Sequence, residues 1–287
     1  MESEPVVAEV DGVALAGSCW MPSSPRAAVL MLPGSGPSTR DNDVYFPAIR
    51  EHLLAAGFGV ASFDKRGVGE STGSLLDTSI DRQADDALAC LTTLRTRTAN
   101  LPWGVFGHSQ GGWVAFEVAA RDRSLFAAVA NSGPAVGVAE QERFRILGTP
   151  GPSGETLGPD AHRRFDELTR AVTSGAGHAE AMALLADAPD LAAEFAEMGD
   201  AWPLVTALLG HDPERTLRSI AIPTLCVYGS RERVVPVTSC LAVLDRVGNP
   251  HLDVAVIAGG DHRLQLDDET FAPGYVATVV GFLAAHC

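Results

Sequence analysis

Apolar and polar positions along this chain follow two rhythms. Near the start, "VVAEV" and "VALAGSCW" alternate around "DG". Alternation with period two marks a strand with one buried face, and Asp-Gly between two such runs marks a tight hairpin, so Asp11 and Gly12 are expected to form its turn. The alternation then gives way to continuous apolar runs, first "AAVLML" and then "FGVASFD". Such runs suit strands covered on both faces, as in a parallel sheet. "WGVFGHS", "FAAVANSG", "IPTLCVYG" and "LDVAVIAG" read as further strands. Between them, helical spacing appears in "YFPAIREHLLAAG", "DRQADDALACLTTLRTR", "QGGWVAFEVAAR", "VTSCLAVLDRVG" and "PGYVATVVGFLAAH".

Strand and helix thus alternate from about residue 27 to residue 133, and again from Ile220. This pattern predicts an α/β fold built on a doubly wound, mostly parallel sheet with right-handed crossovers. Residues 135–217 show no strong strand. They hold a Gly/Pro-rich stretch, "GTPGPSGETLGPD", and helical stretches such as "AEAMALLADAPDLAAEFAEMG". The expected organisation is a core of residues 1–134 and 218–287, with 135–217 inserted as a helical cap. An insertion at the C-terminal ends of the strands lies where open α/β sheets bind ligands.

Composition narrows the classes. Of 287 residues, 46% are hydrophobic, enough for a substantial core. Lys and Arg number 21 against 36 Asp and Glu, a net charge of −15. An acidic surface repels phosphates and anionic lipid, so neither a nucleic-acid nor a membrane partner is expected. The five cysteines are odd in number and include no C-x-x-C pair, which suggests neither a disulfide framework nor a zinc site. Cys19, Cys90 and Cys226 sit in apolar runs and read as small core residues. No basic segment followed by an apolar stretch opens the chain, and no apolar run reaches membrane-spanning length. A cytoplasmic monomer or homodimer is expected.

The candidate chemistry lies in "GHSQG", a G-x-S-x-G pattern around Ser109. Alone the pattern is weak, but here it joins a predicted strand to a predicted helix, the context of a nucleophile elbow. Gly107 and Gly111 occupy the positions where a side chain would collide. A serine hydroxyl needs a base, usually His, oriented by a carboxylate. Among eight histidines, His262 follows the last predicted strand and so lies at the same sheet edge as Ser109. His108 adjoins Ser109, but successive residues of a strand-turn point apart. After "IPTLCVYG" the only acid in "GSRERVVP" is Glu232. Asp261 competes, but a neighbour of His262 has difficulty turning its carboxylate back onto that ring. An oxyanion needs two backbone N–H donors. Gln110, after the serine, supplies one, and Ser35, between Gly34 and Gly36 in "LPGSGPSTRDND", is the candidate for the other.

With these residues in view, the whole chain resembles the α/β-hydrolase superfamily. "GHSQGG" is similar to its nucleophile elbow, and "PGSGPSTRDND" to the G-S-G-P-x-x-R-D loop of a serine esterase and thioesterase-like branch near the dienelactone hydrolase and serine aminopeptidase groups. "FDKRGVGES" resembles the D-x-R-G-x-G-x-S stretch of that branch, which implies a structural, loop-locking role for Asp64, Arg66 and Gly67. "GSRERVVP" follows the family's G-x-x-D-x-x-V-P, with Glu232 where Asp is usual. The resemblance implies no metal and no cofactor.

The expectation is therefore a serine hydrolase that cleaves an ester or thioester of a small to medium organic acid through Ser109, His262 and Glu232. The same scaffold also carries acyl-eliminating lyases and acyltransferases, because fold does not fix reaction type. A non-enzymatic binding protein is disfavoured, since all three reactive positions are filled. In "FAEMGDAWPLVTALLG", Phe195, Met198, Trp202 and Leu208 either line a pocket for an apolar acyl group or form the cap's own core.

Overall fold

The computed structural model describes residues 2–42, 45–148 and 158–287. β1 (Glu4–Val10) and β2 (Val13–Trp20) pair antiparallel through Asp11 and Gly12, both at positive φ, 50° and 75°. Their alternating burial matches their alternating sequence. β3 (Ala27–Leu32) leads to α1 (Tyr45–Ala55), β4 (Phe58–Phe63), α2 (Ile80–Arg97), β5 (Trp103–His108), α3 (Gln110–Arg121) and β6 (Ala128–Asn131). Six helices follow among the described residues: α4 (Val138–Gly148), α5 (Pro159–Thr173), α6 (His178–Leu184), α7 (Pro189–Ala193), α8 (Trp202–Leu209) and α9 (Glu214–Ser219). The chain returns to the sheet with β7 (Thr224–Gly229), α10 (Val237–Val247), β8 (Leu252–Ile257) and α11 (Tyr275–His286). Most of the expected Gly/Pro-rich loop falls on residues 149–157, outside the described residues.

The eight strands form one sheet in the order β1-β2-β4-β3-β5-β6-β7-β8, parallel from β4 to β8. β3, β4, β5 and β7 are buried at every residue because helices cover both faces, and this is why their sequences read as unbroken apolar runs. α1 and α11 cover one face, packing Phe46, Ile49, Val279 and Leu283 against Val29, Val60 and Phe106. α2, α3 and α10 cover the other, and its core continues into the helices between β6 and β7 through Phe165, Leu168 and Trp202. β8 departs from the buried pattern: Val254 and Val256 are exposed. It is an edge strand with a single neighbour, so its apolar run is covered less fully. Cys19, Cys90, Cys226 and Cys240 are buried free thiols, and Cys287 is exposed.

Candidate active site

Parallel strands place all their C-terminal ends on one side of the sheet, and each candidate residue lies just past such an end. Ser109 follows β5 and caps α3 at φ 54°, ψ −119°, a region that non-glycine residues rarely occupy and that costs about 1–3 kcal/mol. Several contacts impose this conformation. The Ser109 N–H donates to the Asn131 carbonyl of β6 at 2.9 Å, and the Gly112 N–H donates back to the Ser109 carbonyl at 2.8 Å. A Cβ on Gly107 would meet the Gly111 carbonyl oxygen at 1.9 Å, and one on Gly111 the Leu32 carbonyl oxygen at 2.1 Å. The elbow is therefore wedged against the end of β3, and only glycine fits two positions before and two positions after the serine.

Glu232 lies three residues past β7 and His262 five past β8. Their loops are stitched together: the Ser230 N–H donates to the Ile257 carbonyl at 2.9 Å and the Arg231 N–H to the Gly260 carbonyl at 2.8 Å. His262 Nδ1 lies 2.8 Å from Glu232 Oε2. A carboxylate can only accept, so Nδ1 carries the proton and Nε2 is left as the basic nitrogen. The other carboxylate oxygen, Oε1, accepts the N–H groups of Val234 at 2.7 Å and Val235 at 3.2 Å. The Glu232 side chain is 1% exposed. Burial pushes its carboxyl upward, but the His262 bond, the His262 charge and the two backbone N–H groups outweigh that and hold it below the usual carboxylate value. Asp261 is engaged elsewhere, since its Oδ1 accepts the N–H groups of Arg263 and Gln265.

In the β3–α1 loop, the Gly34 N–H is taken by Asn42 Oδ1 at 2.8 Å, and the Ser35 carbonyl by the Ser38 hydroxyl at 2.8 Å. The Ser35 N–H has no acceptor among the described residues. Gln110 is the first residue of α3, so its N–H has no partner within the helix. The ideal Cβ position on Gly34 lies 3.5 Å from Ser109 Cβ, which puts this loop against the elbow. Asp64 binds Arg40 through both oxygens (3.0 Å and 2.6 Å) and accepts the Arg40 and Glu70 N–H groups, while Arg66 binds Asp86 at 2.6 and 2.8 Å. The Arg40–Asp64 contacts lock the loop after β3 to the loop after β4, and Arg66–Asp86 ties the latter to α2.

Sequence reasoning set His108 aside, and the structure gives it a supporting position. The ring is buried, 5.0 Å from the His262 ring and 4.6 Å from Tyr45 between centroids. Its Nδ1 lies 3.0 Å from Asn131 Nδ2, which also donates to the Tyr45 hydroxyl at 3.1 Å. Burial, with the charges of His262 and Arg263, pushes His108 well below its ordinary value, so it packs as a neutral ring. Lys65, which the sequence left without a role, reaches this site from beneath. Of the cap candidates, Phe195 and Trp202 are buried among the helices, Phe195 against Phe165 and Trp202 with its indole N–H on the Ala176 carbonyl at 2.9 Å. Leu208 is partly buried against the same core and Met198 is exposed. Among the described residues no cluster of His, Cys, Asp and Glu is placed to hold a metal, and no helix is long and apolar enough to cross a membrane.

Known proteins share both sequence and fold with this chain. A monoacylglycerol lipase of Mycolicibacterium smegmatis is 28% identical over 93% of this chain and 95% of its own length. The mitochondrial palmitoyl-protein thioesterase ABHD10 of Mus musculus is 24% identical over 78% of this chain and 65% of its own. Among solved structures, the Pyrococcus furiosus esterase Pf2001 superposes with a TM-score of 0.68 at 21% identity, covering 99% of this chain and 91% of that one. A proline iminopeptidase of Mycobacterium smegmatis does so with 0.63 at 19%, covering 99% and 98%. These superpositions identify the sheet and its helices as the α/β-hydrolase fold. Residues 23–269 match the Hydrolase_4 family, described as serine aminopeptidase, S33; the chain belongs to that family and is a serine-dependent α/β-hydrolase.

Proposed function

We propose that this enzyme cleaves esters or thioesters of small to medium organic acids by two-step acyl transfer through Ser109. The observation that carries the reading is the strained serine at the head of α3, beside a loop with a free Ser35 N–H, with the bonded His262–Glu232 pair at the same sheet edge. Ser109 Oγ attacks the carbonyl carbon while His262 Nε2 takes its proton. Glu232 keeps the proton on Nδ1 and stabilises the imidazolium. The N–H groups of Ser35 and Gln110 receive the developing oxyanion, each lowering the barrier by about 3 kcal/mol. His262 protonates the leaving oxygen or sulfur, then draws a proton from the water that attacks the acyl-serine, and returns that proton to Ser109 Oγ as the acid leaves. The lipase and thioesterase among the relatives support an oxygen or sulfur leaving group.

The helices between β6 and β7 are proposed as a cap that bounds the acyl group. The test is a panel of p-nitrophenyl esters from acetyl to decanoyl, acyl thioesters and amino-acid anilides, run on wild type and Ser109→Ala. Turnover of esters or thioesters that disappears in the variant supports the reading. Turnover retained by Ser109→Ala contradicts it, as does cleavage of anilides alone.

A further inference from the structure

Lys65 is the only lysine in a chain with 21 lysines and arginines, and it is buried at 8% exposure. Among the described residues no carboxylate pairs with it. The acids nearest in sequence and across the adjoining helix, Asp64 and Asp86, are held by Arg40 and Arg66. Lys65 instead faces three oxygens: Nζ donates to the Gly34 carbonyl, to the Gly36 carbonyl at 3.3 Å and to Gln110 Oε1 at 2.8 Å. Gln83 Nε2, from α2, reaches the same Gln110 oxygen at 3.3 Å. Below, Leu30, Phe63, Ala87 and Val114 line a small apolar cavity of about 50 Å³ beside the lysine. Burial without a counter-ion pulls Lys65 down to about 7. Three acceptors nevertheless call for three donors, which only the ammonium has; a neutral amine would turn a lone pair towards one of the oxygens.

The three acceptors are informative in themselves. The Gly34 carbonyl and the Ser35 N–H belong to one peptide unit, and in a planar trans peptide they point in opposite directions. Whatever holds that carbonyl sets the aim of that N–H. The neighbouring groups are already committed: Asn42 holds the Gly34 N–H and Ser38 holds the Ser35 carbonyl. Gln110 is the residue whose own N–H is the other candidate donor. One side chain therefore grips both halves of the oxyanion site from the side away from the substrate.

We propose that Lys65 is the positioning residue of the oxyanion site, fixing the Gly34–Ser35 peptide and the Gln110 side chain so that the two N–H donors are aimed before substrate arrives. The proposal rests on the function proposed above. The ammonium also lies behind the Ser35 peptide dipole with its positive charge towards the oxyanion, so it favours the tetrahedral state over the planar ester. Lys65 makes no contact with substrate; it acts through the Gly34–Ser35 peptide and the Gln110 side chain.

The test is Lys65→Met, which keeps the apolar stem and removes the donors. With p-nitrophenyl butyrate, kcat is expected to fall about 100-fold with KM within about threefold, because the lost interaction belongs to the transition state. Affinity for butylboronic acid, which forms a tetrahedral anion on a reactive serine, should fall in proportion to kcat. Wild-type kcat in a folded Lys65→Met overturns the proposal, and so does a loss confined to KM. Should the variant not fold, the wild-type protein answers instead. A single lysine gives a single side-chain ¹⁵Nζ resonance, and formation of the boronate adduct should raise its titration midpoint by at least about one pH unit. An unmoved midpoint overturns the proposal. Labelling of Ser109 by a fluorophosphonate in wild type separates the two readings: with labelling present, a negative result counts against Lys65 alone, and with labelling absent, the serine assignment fails and takes this proposal with it.

Discussion

Around Ser109 the backbone is held by several strands at once, whereas between β6 and β7 it is held mainly by neighbouring helices. Ser109 bonds to β6, Gly111 abuts the end of β3, and Gly112 meets Gly133 just past β6. The helical insert packs α5 on α4, α6 and α8, and dresses itself with local ion pairs such as Arg163–Glu167 and Arg145–Glu142. α6 and α7 are only one or two turns long and depend on these contacts, since helices that short are not stable alone. The contrast shows where precision is required. A reacting serine and two N–H donors need placement within a fraction of an ångström, and contacts from distant parts of the chain supply it. The proposed cap would need only shape, which local packing can provide and vary.

The largest effect that would sharpen this contrast is chemical. Glu232→Gln keeps the side-chain size but can no longer enforce the His262 tautomer, so kcat should fall about 10⁴-fold with KM little changed, measured on a p-nitrophenyl ester. The same variant tests the electrostatics. In the folded protein Glu232 titrates below its ordinary value, so its carboxylate stabilises the fold above the ordinary carboxylate range. That increment disappears as pH falls through the folded-state value. The melting temperature of wild type should therefore exceed that of Glu232→Gln at pH 7, and the gap should close on acidification.

Next comes Gly111→Ala. Its Cβ would lie 2.1 Å from the Leu32 carbonyl oxygen, which is backbone and cannot rotate aside. Destabilisation of about 3 kcal/mol or more is expected by urea titration, together with loss of activity. A stable, active Gly111→Ala would break the claim that the elbow is wedged. Within the insert, Trp202→Ala removes a side chain that is 7% exposed and should cost about 3 kcal/mol. Limited proteolysis should then cut among residues 158–213 before the sheet; simultaneous cleavage throughout would show that the insert is held as firmly as the elbow. The smallest effect belongs to Gly148→Ala at the end of α4, where a Cβ meets nothing within 4 Å among the described residues. The outcome should be neutral or stabilising by up to about 1 kcal/mol.

Local rules exposed much of this in the sequence. The Asp11-Gly12 hairpin, the buried strands and the strand–Ser109–helix junction each follow from periodicity or from glycine at a crowded turn. Glu232 and His262 could be read because each follows a strand that the sheet delivers to one edge. Lys65 could not be read this way. A lysine beside Asp64 and Arg66 looks like a solvated charge in a locking loop, and only the fold turns it beneath Gly34 and Gln110. The one available signal was that no other lysine occurs in the chain. For His108, the direction away from Ser109 follows from strand geometry, but the contact with the His262 ring depends on β8 lying three strands away. Nor could the sequence separate packing from pocket lining for Phe195 and Trp202, because both uses call for the same apolar residues.

The central claim is that Ser109 carries the acyl group. Wild-type protein should be reacted with a fluorophosphonate, digested and mapped by mass spectrometry, with a rapidly quenched p-nitrophenyl ester reaction alongside. The account predicts one adduct per chain in both experiments, on the peptide containing Ser109, and none in Ser109→Ala. An adduct on Ser35 or any other residue, or undiminished labelling of the variant, would contradict it.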